Sequence, residues 1–230
     1  MKNLVLFIAV SITATLANAQ VLRSEELEKY AVEKYGYGDN WQEAASDLAK
    51  EIQLDKNSSL TYTQIVDCGE QTKEQLYIIL NHWFTETFND ANAVIKLNDK
   101  ESGCIIGQSY ISDIANHTGG NNSYVINIHP IIKVDIKDKK IRITYTVQYF
   151  DVTKAVGGGI IGALGNDQPS INEDKWALET CFPFAEKDKH KAKKTSSKAL
   201  VMTHAYANVI MDKIKEAVKN GLSGNENENW

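Results

Sequence analysis

The stretch Tyr124–Tyr149, YVINIHPIIKVDIKDKKIRITYTVQY, decides how the chain reads. Tyr124, Ile126, Ile128, Ile132, Val134 and Ile136 share one parity, and Ile141, Ile143, Tyr145, Val147 and Tyr149 share another after the turn Asp138-Lys139. Side chains alternate between the two faces of a strand, so each set lines one face. The intervening positions carry Asn127, His129, Lys133, Asp135, Lys137, Arg142, Thr144, Thr146 and Gln148. A sheet with one apolar and one polar face is antiparallel and needs helices over its apolar side. Pro130 has no backbone N–H to give to the ladder, which predicts a bulge or an edge there.

Working upstream, Ala93–Asn98 and Cys104–Ile114 read as two more strands joined by the polar turn Asp99–Gly103, and Leu60–Asp67 reads as a strand closed by Cys68-Gly69. Between them lies a helix opened by a capping box, Thr72 with Gln75, whose stripe is Leu76, Leu80, Trp83, Phe84 and Thr87. His82 points away from that stripe and reads as a surface residue. Residues 20–59 form a helical extension: Ser24 with Glu25 and Glu26 starts one helix, and Asn40 with Glu43 starts a second. Two such short helices cannot stand alone, and Trp41, Tyr30, Tyr35 and Tyr37 are their expected attachment points.

Downstream, residues 155–194 form an irregular connection rich in glycine and lysine, with a short strand-like piece around Trp176. Gly157–Gly162 fits G-x-G-x-x-G, but no helix of useful length opens at its third glycine and the preceding strands read as antiparallel, so the residues do not support a nucleotide site. Lys187–Lys194 holds five lysines and reads as a solvated linker. Ser196 or Ser197 then caps a helix over about 195–220, with Leu200, Thr203, Ala207, Ile210, Ile214 and Val218 as its packing stripe and His204 directed outward. The expected fold is α+β, β-α-β4-α, an antiparallel sheet with one face covered by two helices, in a domain spanning 60–220. Residues 221–230 form a polar tail read as disordered.

The first nineteen residues have the parts of a secretory signal: Lys2, the apolar run Leu4–Leu16 and the small-residue site Ala17-Asn18-Ala19. Cleavage after Ala19 predicts an exported chain, periplasmic or secreted and soluble, with no span of its own, because that apolar run is shorter than the roughly 20 residues a span needs. A net charge of −5 and a pI near 5.6 give no attraction to nucleic acid. Cys68, Cys104 and Cys181 are an odd count, so one disulfide at most can form; Cys68 with Cys104 is a possible pair, and three buried thiols are the alternative.

Leu76-Tyr77 with Trp83-Phe84, Ala93-Val94-Ile95, Ile105-Ile106-Gly107 and Lys133–Asp138 before Ile141-Arg142 resemble the family called domain of unknown function 4468. The resemblance implies a TBP-like fold and exported proteins of gut-dwelling Gram-negative bacteria. Glu33–Gly36, Trp41 and Ala44-Ala45 resemble the extension many of its members carry. It brings no catalytic residues with it.

No histidine pair has a ligand spacing and no cysteines are close, so no metal, cofactor or catalytic residue is assigned. Two readings follow. One is a non-catalytic binding module of the cell envelope, holding an envelope protein, a glycan or a small apolar ligand. The other is a hydrolase of envelope or other polymers with an active site the sequence does not reveal. The expected contact residues are His129, Arg142, Thr144 and Gln148, on the polar face of the sheet.

Overall fold

The antiparallel ladder that the alternating residues demand is present, and it divides in two. The structure is a computed structural model and describes residues 24–35, 40–88, 91–119, 122–156, 170–190 and 192–221. The secretory-type segment, the Gly157–Gly165 loop, Tyr37, Lys191 and the tail lie outside the described residues. A five-stranded sheet contains β1 (Leu60–Asp67), β2 (Ile95–Asp99), β3 (Cys104–Gln108), β6 (Ile131–Lys137) and β7 (Lys140–Val147), in the order β1-β7-β6-β3-β2. A four-stranded sheet contains β4 (Ile111–Gly119), β5 (Asn122–Ile128), β8 (Tyr149–Val156) and β9 (Ser170–Ala177), in the order β4-β5-β8-β9. Every pairing within the two sheets is antiparallel.

Three strands pass directly from one sheet to the other: β3 continues into β4, β5 into β6, and β7 into β8. All three are interrupted at the same level, at Ser109-Tyr110, His129-Pro130 and Gln148. The amide of Ser109 donates to the carbonyl of Pro130 at 3.1 Å, which bridges the break. Three strands expected to be continuous are therefore pairs, because Pro130 cannot donate and its neighbours lose their ladder partners with it. At Gln148 the alternation also slips by one residue: Val147 and Phe150 are both buried while Tyr149 is half-buried. Tyr149 thus leaves the apolar face assigned to it, and Phe150 takes its place. A further strand, β9, was hidden by its composition: five of its eight residues are polar or charged.

Helix α3 (Lys73–Thr87) starts as expected, with Thr72 Oγ1 accepting from the Gln75 amide and the Gln75 side chain accepting from the Thr72 amide. Its Leu76, Ile79, Leu80, Trp83 and Phe84 are buried against β6 and the long helix. His82 is exposed, next to Glu86. A single turn, α4 (Ala91–Val94), leads into β2. The long helix α5 runs Lys193–Asn220, starting before the serines expected to cap it. Ser196 and Ser197 lie inside its first turn, where their hydroxyls donate back to the Lys193 carbonyl.

The extension explains why α5 is apolar on more than one side. Helix α1 (Ser24–Tyr35) and helix α2 (Trp41–Glu51) pack on α5, and α2 buries Trp41, Ala44, Ala45 and Leu48. A helix covered from two directions needs apolar residues around most of its circumference. Sixteen of its twenty-eight residues are buried, the predicted stripe among them. His204 is half-buried instead of exposed, because its ring lies 5.4 Å from that of Tyr62 on β1.

Gly107 marks a close approach between helix and sheet. A Cβ there would stand 2.6 Å from Phe84 Cε1 and 3.3 Å from Val94 Cγ1. Phe84 is fully buried and cannot swing aside. Gly107→Ala is therefore expected to lower the urea-unfolding free energy by roughly 1–3 kcal/mol, the usual range for overpacking a core. A change under a few tenths would show that the core yields at this point.

Candidate functional site

Among the described residues, the helices packed on the five-stranded sheet are all on one side of it, which leaves the other side open. β7 sets the rows of this open face through its register, Ile65↔Arg142↔Asp135 and Thr63↔Thr144↔Lys133. The rows continue across β3 and β2, from Asp135 to Cys104 and Asp99 and from Lys133 to Ile106 and Leu97. Arg142 donates to Asp135 Oδ2 through both Nε (3.0 Å) and Nη2 (2.7 Å), and Lys133 Nζ lies 2.9 Å from Asp135 Oδ1. Burial alone would raise the Asp135 carboxyl, but its hydrogen bonds from Lys133 and Arg142 and their charges outweigh it and hold the pKa below the ordinary value. Apolar groups interleave with these charges: Ile65 is 70% and Leu97 45% exposed, and Ile106 and Ile131 are half-buried.

Of the residues expected on this face, Arg142 and Thr144 are neighbours at its middle. His129 and Gln148 belong to the break between the sheets; the register Ile131↔Thr146, carried two residues on, sets them across from one another. Arg142 and Gln148 are six residues apart on one chain, about 20 Å at the usual strand rise. The four do not make one site.

His129 has its own surroundings. Its Nε2 is 3.0 Å from Asp151 Oδ2, both side chains being about 30% exposed. The Tyr110 ring lies 4.9 Å from the imidazole and the Tyr149 ring 6.4 Å. Lys175 Nζ stands 4.5 Å above Tyr149. Burial first, then the charges of Asp151 and Glu173, raise the Tyr110 phenol. Tyr110, Asp151 and Lys175 escaped the sequence reading because they come together through the β4–β5, β5–β8 and β8–β9 pairings. The available signal was the parity of Phe150 and Val152, which turns Asp151 to the polar side. An imidazole paired with a carboxylate can hold or pass a proton, yet none of the contacts of His129 brings in a hydroxyl or thiol nucleophile beyond the phenols.

On the helix side, His204 Nδ1 is 3.3 Å from the Tyr62 hydroxyl and its Nε2 is 3.0 Å from Asn208 Nδ2. Burial pushes its pKa down to about 4, with a smaller contribution from Lys34. At the start of α5, the buried Asp188 carboxylate accepts from the amides of Phe182 and His190 and from Ser196 Oγ. The lysine-rich stretch is thus anchored by Asp188 and is not a free linker. His190 stacks on Trp176 at 4.3 Å and meets Thr180 Oγ1 at 2.8 Å. Cys68, Cys104 and Cys181 are free thiols, and burial above all, then Asp188, pushes Cys181 up to about 12. A cavity of about 260 Å³ lies between Val66–Gly69 and the last turns of α5, lined also by Lys215 and Lys219, at the end of β1 away from the break. Among the described residues no group of three or more His, Cys, Asp or Glu is placed to hold a metal ion. Nor is any described helix long and apolar enough to cross a membrane.

Residues 62–150 match the family model described as domain of unknown function (DUF4468) with TBP-like fold. The match begins in β1 and ends at Phe150, so it spans both sides of the break and α3; the two helices of the extension, β9 and α5 lie outside it. Among solved structures, the chain is similar to a TBP-like protein from Parabacteroides distasonis, 12% identical over 73% of this chain and 97% of that one, with a TM-score of 0.47. It is also similar to a DUF4468 family protein from Bacteroides ovatus, 11% identical over 73% of this chain and 90% of that one, with a TM-score of 0.43. No curated protein matches the sequence.

The depressed pKa of His204 has a definite sign in stability. As pH falls below about 6.5 the unfolded chain takes up a proton on this imidazole while the folded chain refuses it until about pH 4, so stability present at neutral pH is lost across that window. Between about pH 7.5 and 4.5 the loss from this residue should approach roughly 2.5 kcal/mol. Urea unfolding of the natural chain and of His204→Gln measures it: the variant should lose less on acidification, and equal losses would remove His204 as the cause.

Proposed function

We propose that the protein is a non-catalytic binding module acting after export, in the periplasm or outside the cell, which holds a protein partner on the open face of the five-stranded sheet. The observation that carries this reading is the division of the molecule into a filled side and an open one. On the helix side, Ile143, Tyr145, Val147, Leu200, Tyr206 and Ile210 are each at most 1% exposed, so the middle of the contact between sheet and helix is filled, and the cavity of about 260 Å³ lies at its end, beside Val66–Gly69 and Lys215. On the other side, Leu97, Ile106 and Ile131 alternate with Lys133, Asp135 and Arg142, the apolar and charged mixture on which protein partners dock. Export is supported by the Lys2, Leu4–Leu16 and Ala17–Ala19 sequence pattern. The hydrolase alternative draws on His129 and Asp151, a half-exposed pair away from the cavity.

The test is capture from envelope extract by the mature chain, compared with two variants. Leu97→Asp with Lys133→Glu and Arg142→Glu alters the open face; Ile78→Lys alters an exposed position of α3, where Ile78 is 54% exposed. Proteins held by the natural chain and by the α3 variant should fall about tenfold or more on the triple variant, a change of roughly 1.4 kcal/mol in binding. Identical capture by all three chains would reject the open face as the contact surface.

A further inference from the structure

An edge strand exposes a row of unpaired N–H and C=O groups, and soluble proteins protect such edges by shortness, bulges or charge. Three of the four edges here are protected in these ways. β2 has five residues and a register shift between Ile95 and Leu97. β4 has a register shift between Ile111 and Ala115, with Asp113 in the left-handed region at φ 53°. β9 presents exposed Glu173, Asp174 and Lys175.

β1 lacks all three protections. It pairs with β7 through eight consecutive residues without a bulge. From Leu60 to Val66 it has no charge, glycine or proline, and Tyr, Thr, Ile and Val favour the extended backbone. Among the described residues, the other backbone that its outer edge meets is at the Leu54↔Leu60 bridge. On the open face of this strand stands Ile65, 70% exposed, the most exposed of the large apolar residues described.

We infer that β1 is a self-association edge: two copies of this chain pair antiparallel through β1 about a twofold axis at Ile65. This register sets Ile65 against Ile65 of the other copy, Thr63 against Asp67 and Gln64 against Val66. Both copies then direct the same face to the same side, and two exposed isoleucines cover each other. No like charges stand opposite one another, whereas a register centred on Asp67 would oppose two carboxylates. The product is a continuous sheet of ten strands, five from each copy, with the two open faces joined on one side. The arrangement stands independently of the partner reading above: a dimer can form whether or not the open face binds another protein.

Sedimentation equilibrium of the mature chain across the micromolar range should show a dimer. Ile65→Lys, which places two ammonium groups side by side on the axis, should weaken it about tenfold or more and leave the far-ultraviolet circular dichroism unchanged. A second variant does not depend on the first being well folded. With Cys68 and Cys104 replaced by Ser, Ile65→Cys should cross-link to its own copy on mild oxidation, because opposed Cβ atoms in such a ladder lie about 4.5–5.5 Å apart, close to disulfide distance. Thr61→Cys, off the axis by four residues, should not. A monomer at all concentrations, a dimer unaffected by Ile65→Lys, or cross-linking at position 61 equal to that at 65 would each overturn the inference.

Discussion

The contact on which everything else depends is that between the apolar face of β7 and the long helix α5. Ile141, Ile143, Tyr145 and Val147 point to one side of this strand, which lies between β1 and β6, and are all but solvent-free. Burying each of them against α5 contributes on the order of 1.5–3 kcal/mol relative to exposure. That contact forces the remaining arrangement. β7 can be apolar on one side only if a helix lies there, and α5 can be apolar around most of its circumference only if something covers its outer side. The extension does so through Trp41, Ala44, Ala45 and Leu48. The open face of the sheet is the complement of this cover: the described helices are all used on one side.

The parts of this fold that were legible in the sequence are those where one physical preference acts alone. The alternation in β6 and β7, the Thr72–Gln75 capping box and the turn at Asp138-Lys139 are local, and they appear where the residues predict them. What was not legible arises where two elements meet. The slip at Gln148 depends on the ladder failing simultaneously in three strands. β9 has the composition of a solvated loop and is a strand because β8 offers it eight backbone partners. His204 looked exposed because nothing in the helix itself announces Tyr62, which β1 brings against it.

The candidate contact residues show the same division. Arg142 and Thr144 were placed correctly on the polar side because parity within β7 suffices to place them. His129 was placed on that side too, but its neighbours Asp151, Tyr110 and Lys175 come from strands far apart in the chain, and only the pairing brings them together. Parity can say which way a residue faces. It cannot say which other residues face it there.

The two-sided cover of α5 also bears on how the chain reaches its folded state. α1 and α2 precede every strand, and α5 follows every strand, yet each is packed on the other. During synthesis the sheet can pair strand by strand, but its apolar face stays uncovered, and α1 and α2 lack their seat, until α5 has emerged. The core is therefore completed by the last of the described elements and not by growth around an early nucleus. A nascent chain stalled before Lys193 would expose the whole inward face of β7, a substrate for chaperones and not a partly functional domain.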